Sequence, residues 1–386
     1  MREELVAEFE KVFNKKPLIH SSAPGRINII GEHTDYNKGF VFPMAVQFRT
    51  HCLLRPRDDK EVRVISYNFM DSATFHIDDL KPVNGKKWVK YVQGIFWALV
   101  KNNHNLRGAD ILIWGDVPLE AGLSSSASLE ISLLTGLLTL WPGHYEPKEL
   151  ALLGQKAEND FVGVNCGLMD QFIAVFGRKD TAVFLDCETL EFEYVPLDLE
   201  KENLAFLVYD TRVQRRLAVS EYNQRRLEAQ QALTTLGQLG FTSFKELFPE
   251  RLETLRGYLE PTEFKRTRHV VTENNRVLAA KNCLKNYDFK TLGQLLFTSH
   301  FSLRDDYEVS CPELDLFVEI AAQTPGCYGA RMVGAGFGGS AIALIKKEAE
   351  QTLMAEAEKE AARRNYPRPE MFVVTSGSGA ESGYLF

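Results

Sequence analysis

Several polar side chains with complementary hydrogen-bonding groups follow one apolar run near the start of the chain. The run covers residues 27–30, and Glu32, His33, Thr34 and Asp35 come almost directly after it. Carboxylate, imidazole and hydroxyl groups this close in sequence can bind several hydroxyl groups of one small ligand. The turn-forming residues that come next leave a second interpretation open, namely a solvated hairpin turn with a lone histidine.

A second segment, residues 115–130, is rich in glycine and serine and lies between a strand-like run and a strongly apolar one. A helix that begins at such a loop offers free backbone N–H groups and the positive end of its dipole, which suits a polyphosphate. The alternative is that the serines only cap the helix. The Walker A pattern and the protein-kinase H-R-D and D-F-G signatures do not occur in the sequence, so a nucleotide site here needs another architecture.

A third glycine-rich segment, residues 334–339, formally matches the dinucleotide fingerprint G-x-G-x-x-G. A strand, predicted over Ala341–Ile345, follows it, whereas a dinucleotide site of that type requires a helix. The pattern therefore favours a turn, or a close approach of the backbone to another group, over a dehydrogenase site.

Both strands and helices are predicted around these segments and must position them. The predicted strands are Val41–Phe48, His51–Leu54, Val62–Ser66, Asp110–Trp114, Ala182–Leu185, Ala341–Ile345 and a short last strand, Phe372–Thr375. The predicted helices are Leu129–Leu140, Pro147–Asp160, Ser220–Leu236 and Lys347–Arg364, within a mostly helical region from 220 to 325. Strands dominate the first half and helices the second, which is typical of an α+β protein with a boundary near residues 185–205.

Composition narrows the class of protein. The 386 residues are 45% hydrophobic and 25% charged, with a net charge of −7. This is a globular composition, and the acidic balance argues against nucleic acid or an anionic membrane as a partner. The six cysteines form no C-x-x-C pair, and we expect them to be reduced. The N-terminal residues lack the apolar core of a signal peptide and read as an amphipathic helix, so a cytoplasmic protein is expected.

Seven segments together resemble the galactokinase family of the GHMP kinase superfamily. They are GRINIIGEHTDYN, GLSSSASLE, CGLMDQF, SEYNQRR, RHVVTENNRV, SHFSLRDDYEVSCPELD and GARMVGAGFGGSAIAL, and they occur in family order. The resemblance implies a two-domain GHMP kinase fold. It implies an N-terminal, ribosomal-S5-domain-2-like domain over residues 1–195 and a C-terminal, ferredoxin-like domain over residues 196–386. The last strands can pack back on the first domain.

The resemblance also implies an activity, the transfer of the γ-phosphoryl group of ATP to the anomeric hydroxyl of α-D-galactose, as in the Leloir pathway. Asp170 matches the catalytic base of the family, and Arg26 matches the residue that stabilises the transition state. Taken alone, each residue has a simpler interpretation, a helix cap for the aspartate and a surface ion pair for the arginine. The positions that match sugar-binding residues are Glu32, His33, Thr34, Asp35 and Tyr222.

Further positions match the nucleotide and metal sites of the family. The ATP-binding matches are Ser66, Trp88, Glu120, Ala121, Gly122, Leu123, Ser124, Ser125 and Ser126. Ser126 and Glu158 match ligands of Mg²⁺, a metal that prefers a few protein oxygens together with phosphate oxygens. Trp88 can instead be a core residue, and Glu158 an ordinary helix carboxylate.

Two departures from the family pattern bear on function. Glu120 stands where the family loop usually has glycine, and its carboxylate could repel a phosphate. Ala335 and Ser340 replace a glycine and a cysteine, which are small changes. The alternatives to a galactokinase are an N-acetylgalactosamine kinase and a non-catalytic regulator that binds galactose and ATP. The intact set of Arg26, Asp170, Ser126 and Glu158 argues against the regulator.

Overall fold

The computed structural model describes residues 2–83, 85–213 and 218–385, and these residues form three β-sheets with helices packed against them. The strands are β1 (Ile19–Asn28), β2 (Phe40–Val41), β3 (Pro43–Pro56), β4 (Glu61–Ser66), β5 (Asp71–His76), β6 (Ala109–Gly115), β7 (Thr181–Asp186), β8 (Phe192–Pro196), β9 (Leu204–Asp210), β10 (Cys327–Val333), β11 (Ser340–Lys346), β12 (Glu370–Val374) and β13 (Glu381–Tyr384). The helices are α1 (Arg2–Phe13), α2 (Lys87–Lys101), α3 (Ser125–Leu140), α4 (Pro147–Lys156), α5 (Met169–Phe176), α6 (Ala218–Gln238), α7 (Leu252–Leu255), α8 (Pro261–Lys285), α9 (Phe289–Asp305), α10 (Pro312–Gln323) and α11 (Glu350–Arg363).

The first sheet has six strands in the order β13-β1-β3-β6-β4-β5. Its pairs are antiparallel except β4 and β6, which run parallel. Helices α2 and α3 cover one face, and the apolar residues between them and the sheet form a core. In this arrangement β6 ends at the glycine- and serine-rich loop, so the sheet holds that loop beside β1.

The second sheet is antiparallel, in the order β10-β11-β9-β12. Apolar side chains from one of its faces pack with those of α6, α8 and α10. Its other face shares a core with the first sheet, because Ile27 and Met44 lie in the same buried cluster as Phe206 and Ile342. A small third sheet, β2-β7-β8, completes the structure.

The strands and helices predicted from the sequence occur, with shifted bounds. The two strands predicted at Val41–Phe48 and His51–Leu54 are mainly one long strand, Pro43–Pro56. The helix predicted over Pro147–Asp160 changes at Ala157–Val162 into a π-helical turn that ends at a left-handed glycine. The strand near Phe372–Thr375 is not the last one, because Glu381–Tyr384 pairs with β1.

The division at residues 195 and 196 stays a prediction. Strand β12 belongs to the second sheet and β13 to the first, so the end of the chain contributes to both halves. Within the described residues, no helix combines the length and the apolar character that crossing a membrane requires.

Candidate active site

A cavity of about 300 Å³ brings the distant segments together. Its lining comes from the polar cluster near residue 32, the start of α5, the glycine- and serine-rich loop, Tyr222 and the third glycine-rich loop. The lining residues are Arg26, Glu32, His33, Asp35, Tyr36, Lys87, Glu120, Glu158, Val164, Cys166, Gly167, Met169, Asp170, Tyr222, Gly334 and Ala335. Residues from both halves of the sequence therefore meet in one site.

At the centre of the cavity, Arg26 and Asp170 form a two-pronged ion pair. Arg26 Nε donates to Asp170 Oδ1 and Nη2 donates to Oδ2, each at 2.8 Å. The third guanidinium nitrogen, Nη1, lies 2.5 Å from the carbonyl oxygen of Gly122. Burial opposes the charged guanidinium, but Asp170 and Glu32 outweigh it and raise the pKa of Arg26. The carboxylate of Asp170 is thus fixed in orientation.

Arg26 directly follows an irregularity in the pairing of β1 with β3. The pairing of β1 with β3 shifts register between Pro24, which pairs with Arg49, and Arg26, which pairs with Ala45. The extra residues of the bulge therefore lie in β3, and Gly25 is the single β1 residue opposite them. A Cβ atom at Gly25 would lie 2.7 Å from the carbonyl oxygen of Leu123, so only glycine allows the loop to approach. The amide of Arg26 donates to that same carbonyl at 2.9 Å. Gly25 and the amide of Arg26 therefore bring this part of β1 directly against the glycine- and serine-rich loop.

The polar cluster around residue 32 presents most of its side chains to the cavity. His33 Nδ1 lies 2.7 Å from the hydroxyl of Tyr36, whereas its buried Nε2 has no hydrogen-bond partner among the described residues. Burial lowers the pKa of His33 to about 3, so its imidazole is neutral at physiological pH. Burial, together with the charge of Asp170, raises the pKa of Asp35 to about 7.

Thr34 differs from its neighbours. Its hydroxyl lies 2.8 Å from the carbonyl oxygen of Gly31 and 2.6 Å from that of Phe40, and it is absent from the described residues that line the cavity. Its observed contacts hold the turn. Tyr222, by contrast, lines the cavity, and its ring packs beside those of His33 and Tyr36 with centroids 5.6 and 5.3 Å away.

Comparisons with known proteins match the same segments. Three family models match: the galactokinase galactose-binding signature over residues 7–56, the GHMP kinases N terminal domain over 90–178 and the GHMP kinases C terminal domain over 279–363. A galactokinase of Chloroflexus aggregans is 43% identical over 383 residues, which are 98% of this chain and 97% of that protein. The chain belongs to the galactokinase family.

Solved structures agree with this membership. The galactokinase of Lactococcus lactis, solved in complex with galactose, matches with a TM-score of 0.94 and 38% identity over 98% of this chain and 99% of that one. The mevalonate kinase of Methanococcus jannaschii matches at 18% identity and a TM-score of 0.66, covering 93% of this chain and 98% of its own, and shares the fold. The expected two-part GHMP kinase fold is confirmed.

The glycine- and serine-rich loop of this galactokinase family member is held at both sides. Its residues Ala121 and Leu123 accept hydrogen bonds from Ser340 Oγ at 2.6 Å and from the amide of Arg26 at 2.9 Å. Helix α3 begins at Ser125, and the side chain of Ser124 donates to Asp170 and makes no cap hydrogen bond. The simple capping interpretation therefore fails for Ser124, whose hydroxyl instead contacts Asp170, a residue that lines the cavity.

Of the nine predicted nucleotide-binding residues, only Glu120 is among the described residues that line the cavity. Two of the others, Ser66 and Trp88, lie near Asp71. Ser66 pairs with Asp71 across strands β4 and β5, and Trp88 Nε1 donates to Asp71 Oδ2 at 3.1 Å. The indole also packs against the core beneath α2. The structure thus brings Ser66 and Trp88 together around one aspartate, and their contact with a nucleotide stays a prediction.

The residues predicted to hold magnesium are adjacent. The π-helical turn carries Glu158, whose Oε2 accepts from Gln171 Nε2 at 2.8 Å, and the hydroxyl of Ser126 also hydrogen-bonds to Glu158. Burial and the nearby charge of Asp170 raise the pKa of Glu158 to about 7, an unfavourable concentration of negative charge that a cation would relieve. Among the described residues no cluster of three His, Cys, Asp or Glu side chains could hold a metal. One carboxylate and one hydroxyl suit Mg²⁺.

Sequence reasoning missed several lining residues. Tyr36 and Cys166 lie within the quoted motifs EHTDYN and CGLMDQF, so their neighbours were the available signal. Lys87, at the start of α2, has no such marker. It lines the cavity opposite an excess of carboxylates, and no ion pair to it is seen within the described part of the chain. Gly334 and Ala335 come from the third glycine-rich loop, for which the sequence predicted a turn or a close backbone approach but did not identify the group approached.

Proposed function

We propose that this protein is a galactokinase that transfers the γ-phosphoryl group of ATP to the anomeric hydroxyl of α-D-galactose. Membership of the family supports this activity, as does the close match to a galactokinase that binds galactose. The observation that carries the proposal is the Arg26–Asp170 ion pair, which lies between the sugar-signature segment and the glycine- and serine-rich loop. A nucleophile and a phosphoryl donor bound at these two segments would meet at this pair.

In the proposed reaction, Asp170 accepts the proton of the anomeric hydroxyl as its oxygen attacks the γ-phosphorus. The bond between that phosphorus and the bridging oxygen breaks, and ADP leaves with the electron pair. Arg26 orients the carboxylate of Asp170 before the transfer and offsets negative charge on the moving phosphoryl group. The hydroxyl of Ser124, which donates to Asp170, orients the same carboxylate.

Ser126 and Glu158 are the residues that would hold Mg²⁺. When bound, the ion would neutralise charge on the phosphate oxygens. The free N–H groups at the start of α3 add a second source of positive potential for the phosphates.

Glu32, His33, Asp35 and Tyr222 would bind the hydroxyls of the sugar. Their side chains line the cavity, and the unpartnered Nε2 of His33 leaves one polar atom for a ligand. A buried polar site that is left unpaired by the wrong epimer discriminates strongly, which would separate galactose from glucose. Thr34 lies in the same segment, and we propose that it supports sugar binding by holding the turn.

The test is a coupled assay of ADP release with Mg·ATP and galactose, N-acetylgalactosamine, glucose or no sugar. Galactose-dependent release with little from glucose is expected. Faster release with N-acetylgalactosamine would identify the protein as an N-acetylgalactosamine kinase instead. Folded protein that binds galactose but releases no ADP would be a regulator and would overturn the proposal.

A further inference from the structure

The third glycine-rich loop begins directly after strand β10, and that strand carries a completely buried arginine, Arg331. Its Nη1 lies 2.8 Å from the carbonyl oxygen of Asn28 and 3.0 Å from that of Ile29, and it donates to both. Its Nη2 forms an ion pair at 3.1 Å with Glu32 Oε1. The second sheet thus reaches into the sugar-signature segment through one guanidinium.

The same loop supplies a hydrogen-bond donor to the oxygen that forms this ion pair. The amide of Gly334 donates to Glu32 Oε1 at 2.8 Å. Glu32 is only 3% exposed, yet it lines the cavity, and no described residue donates to its other oxygen, Oε2. One oxygen of this carboxylate is therefore bound to the protein, and the other is left for a ligand.

Arginine is well suited to this position. Its planar guanidinium holds several donors in a fixed geometry, so the two backbone carbonyls that bind Nη1 also fix the direction of Nη2. A buried carboxylate without such a partner would either lose its charge or turn toward another donor. Lysine has a single ammonium group, which cannot contact the backbone carbonyls and Glu32 in the same geometry.

We propose that Arg331 is a positioning residue for sugar recognition, which acts with the Gly334 amide to hold Glu32 so that its free oxygen accepts a hydrogen bond from one sugar hydroxyl. Arg331 does not touch the sugar in this arrangement; it sets the selectivity of the site through Glu32. The third glycine-rich loop then has a role in substrate selection. The inference rests on the proposed function, since it names the part of that site that selects the sugar.

The test compares binding of galactose and of deoxygalactoses that each lack one hydroxyl, measured by calorimetry without nucleotide. The wild-type protein and the Glu32→Gln variant together identify the hydroxyl that Glu32 binds. Arg331→Met is expected to weaken galactose binding about 10- to 100-fold, and Arg331→Lys by less. In both Arg331 variants we expect removal of that one hydroxyl to cost less affinity than in the wild type. The loss of affinity on removing each of the other hydroxyls, the penalty for that hydroxyl, should stay as in the wild type. A purely structural role would weaken all the sugars alike.

Arg57→Met is the matched control, because Arg57 also pairs with a buried carboxylate, Asp110, at 3.2 Å, but in the first sheet and outside the cavity lining. We expect it to lower the midpoint of thermal unfolding without changing any hydroxyl penalty. Should Arg331→Met fail to fold, Arg331→Lys decides.

If the wild type phosphorylates galactose and the folded Arg331 variants keep every penalty unchanged, this inference alone is overturned. If the wild type neither binds nor phosphorylates galactose, the proposed function falls first and the sugar role of Arg331 with it. The two failures are separated by the ADP-release assay on the wild type.

Discussion

Asp170 accepts two hydrogen bonds from Arg26. A substitution that keeps the shape of this side chain but removes its charge therefore tests the role of the charge. Asp170→Asn keeps the size of the side chain but removes the charge and the proton acceptor. We expect kcat to fall by roughly 10²- to 10⁴-fold, the usual contribution of general base catalysis, with galactose affinity nearly retained. Steady-state kinetics and calorimetric sugar binding on one protein sample check this, and an unchanged kcat would contradict the assignment of the base.

Glu120 adopts a left-handed backbone conformation, with φ at 62°, in the loop that faces the cavity. A side chain costs about 1 kcal/mol in this region relative to glycine, so Glu120→Gly should raise the free energy of unfolding by that amount. It should also lower KM for ATP several-fold, because a carboxylate is removed from the phosphate loop.

Glu120→Gln separates the two effects, since it removes the charge but keeps the Cβ atom. It should lower KM for ATP without any gain in stability. If neither variant changes KM, the carboxylate points away from the phosphates. Chemical denaturation and ATP kinetics provide the two readouts.

Asp35 predicts a pH dependence of stability in the ligand-free protein. Burial and Asp170 raise its pKa from 3.8 to about 7, so the folded state keeps a proton that the unfolded state releases. Unfolding therefore becomes easier as the pH rises through this window. Asp35→Asn has no group that titrates here, and its unfolding midpoint should exceed that of the wild type by a margin that grows from about pH 4 to about pH 7. Asp58→Asn, at an exposed aspartate, is the control, and an equal shift there would contradict the argument.

At the scale of the elements, α3 packs closely on β1 and β3 at one small residue. A Cβ atom on Gly136 would lie 2.5 Å from Ser21 Oγ and 2.6 Å from a methyl carbon of Leu54. Gly136→Ala should therefore lower the free energy of unfolding by about 1–3 kcal/mol. Gly237→Ala, in α6 with open space around it, should instead raise it by ~0.5–1 kcal/mol. Denaturant unfolding of both variants checks the opposite signs, and equal signs would contradict this packing.

Elements with a clear hydrophobic period were predictable, and those that depend on tertiary contacts were not. Strand β1 has buried serines where apolar residues would mark a strand. Ser21 Oγ donates to the carbonyl oxygen of Ser132 at 2.7 Å, and Ser22 Oγ donates to Glu381 at 3.2 Å. These partners are far away in the sequence, so no local pattern announces them. The π-helical turn around Glu158 was hidden for the same reason, because a helical period continues through it.

The residues of the candidate site also differ in how far the sequence could predict them. Residues within dense motifs, such as Asp170 and Glu32, were found because their neighbours resemble a family. Lys87 was not, because no motif marks it and only the fold places it at the cavity. Arg331 lies within the quoted motif GARMVGAGFGGSAIAL, but its contact with Glu32 depends on the fold. The roles of all these residues stay predictions until the variants are measured.

At the scale of the whole molecule, the two main sheets share a core. Ile27 from the first sheet and Phe206 from the second lie in one buried cluster, and helix α8 contributes Val277 to it. Separate unfolding of either half would expose this shared surface. We therefore expect one calorimetric transition, and saturating galactose should shift it to higher temperature as a whole. Two resolved transitions, or a shift of only part of the heat absorption, would contradict this coupling.

The pairing of β13 with β1 has a consequence for synthesis on the ribosome. Ser22 and Glu381, which pair across these strands, are 359 positions apart in the sequence. The edge of β1 therefore remains open while the intervening residues are translated, and the first sheet is completed only after every strand of the second sheet has been made. A nascent chain in this state presents an unpaired strand edge, which is the feature that chaperones protect from aggregation.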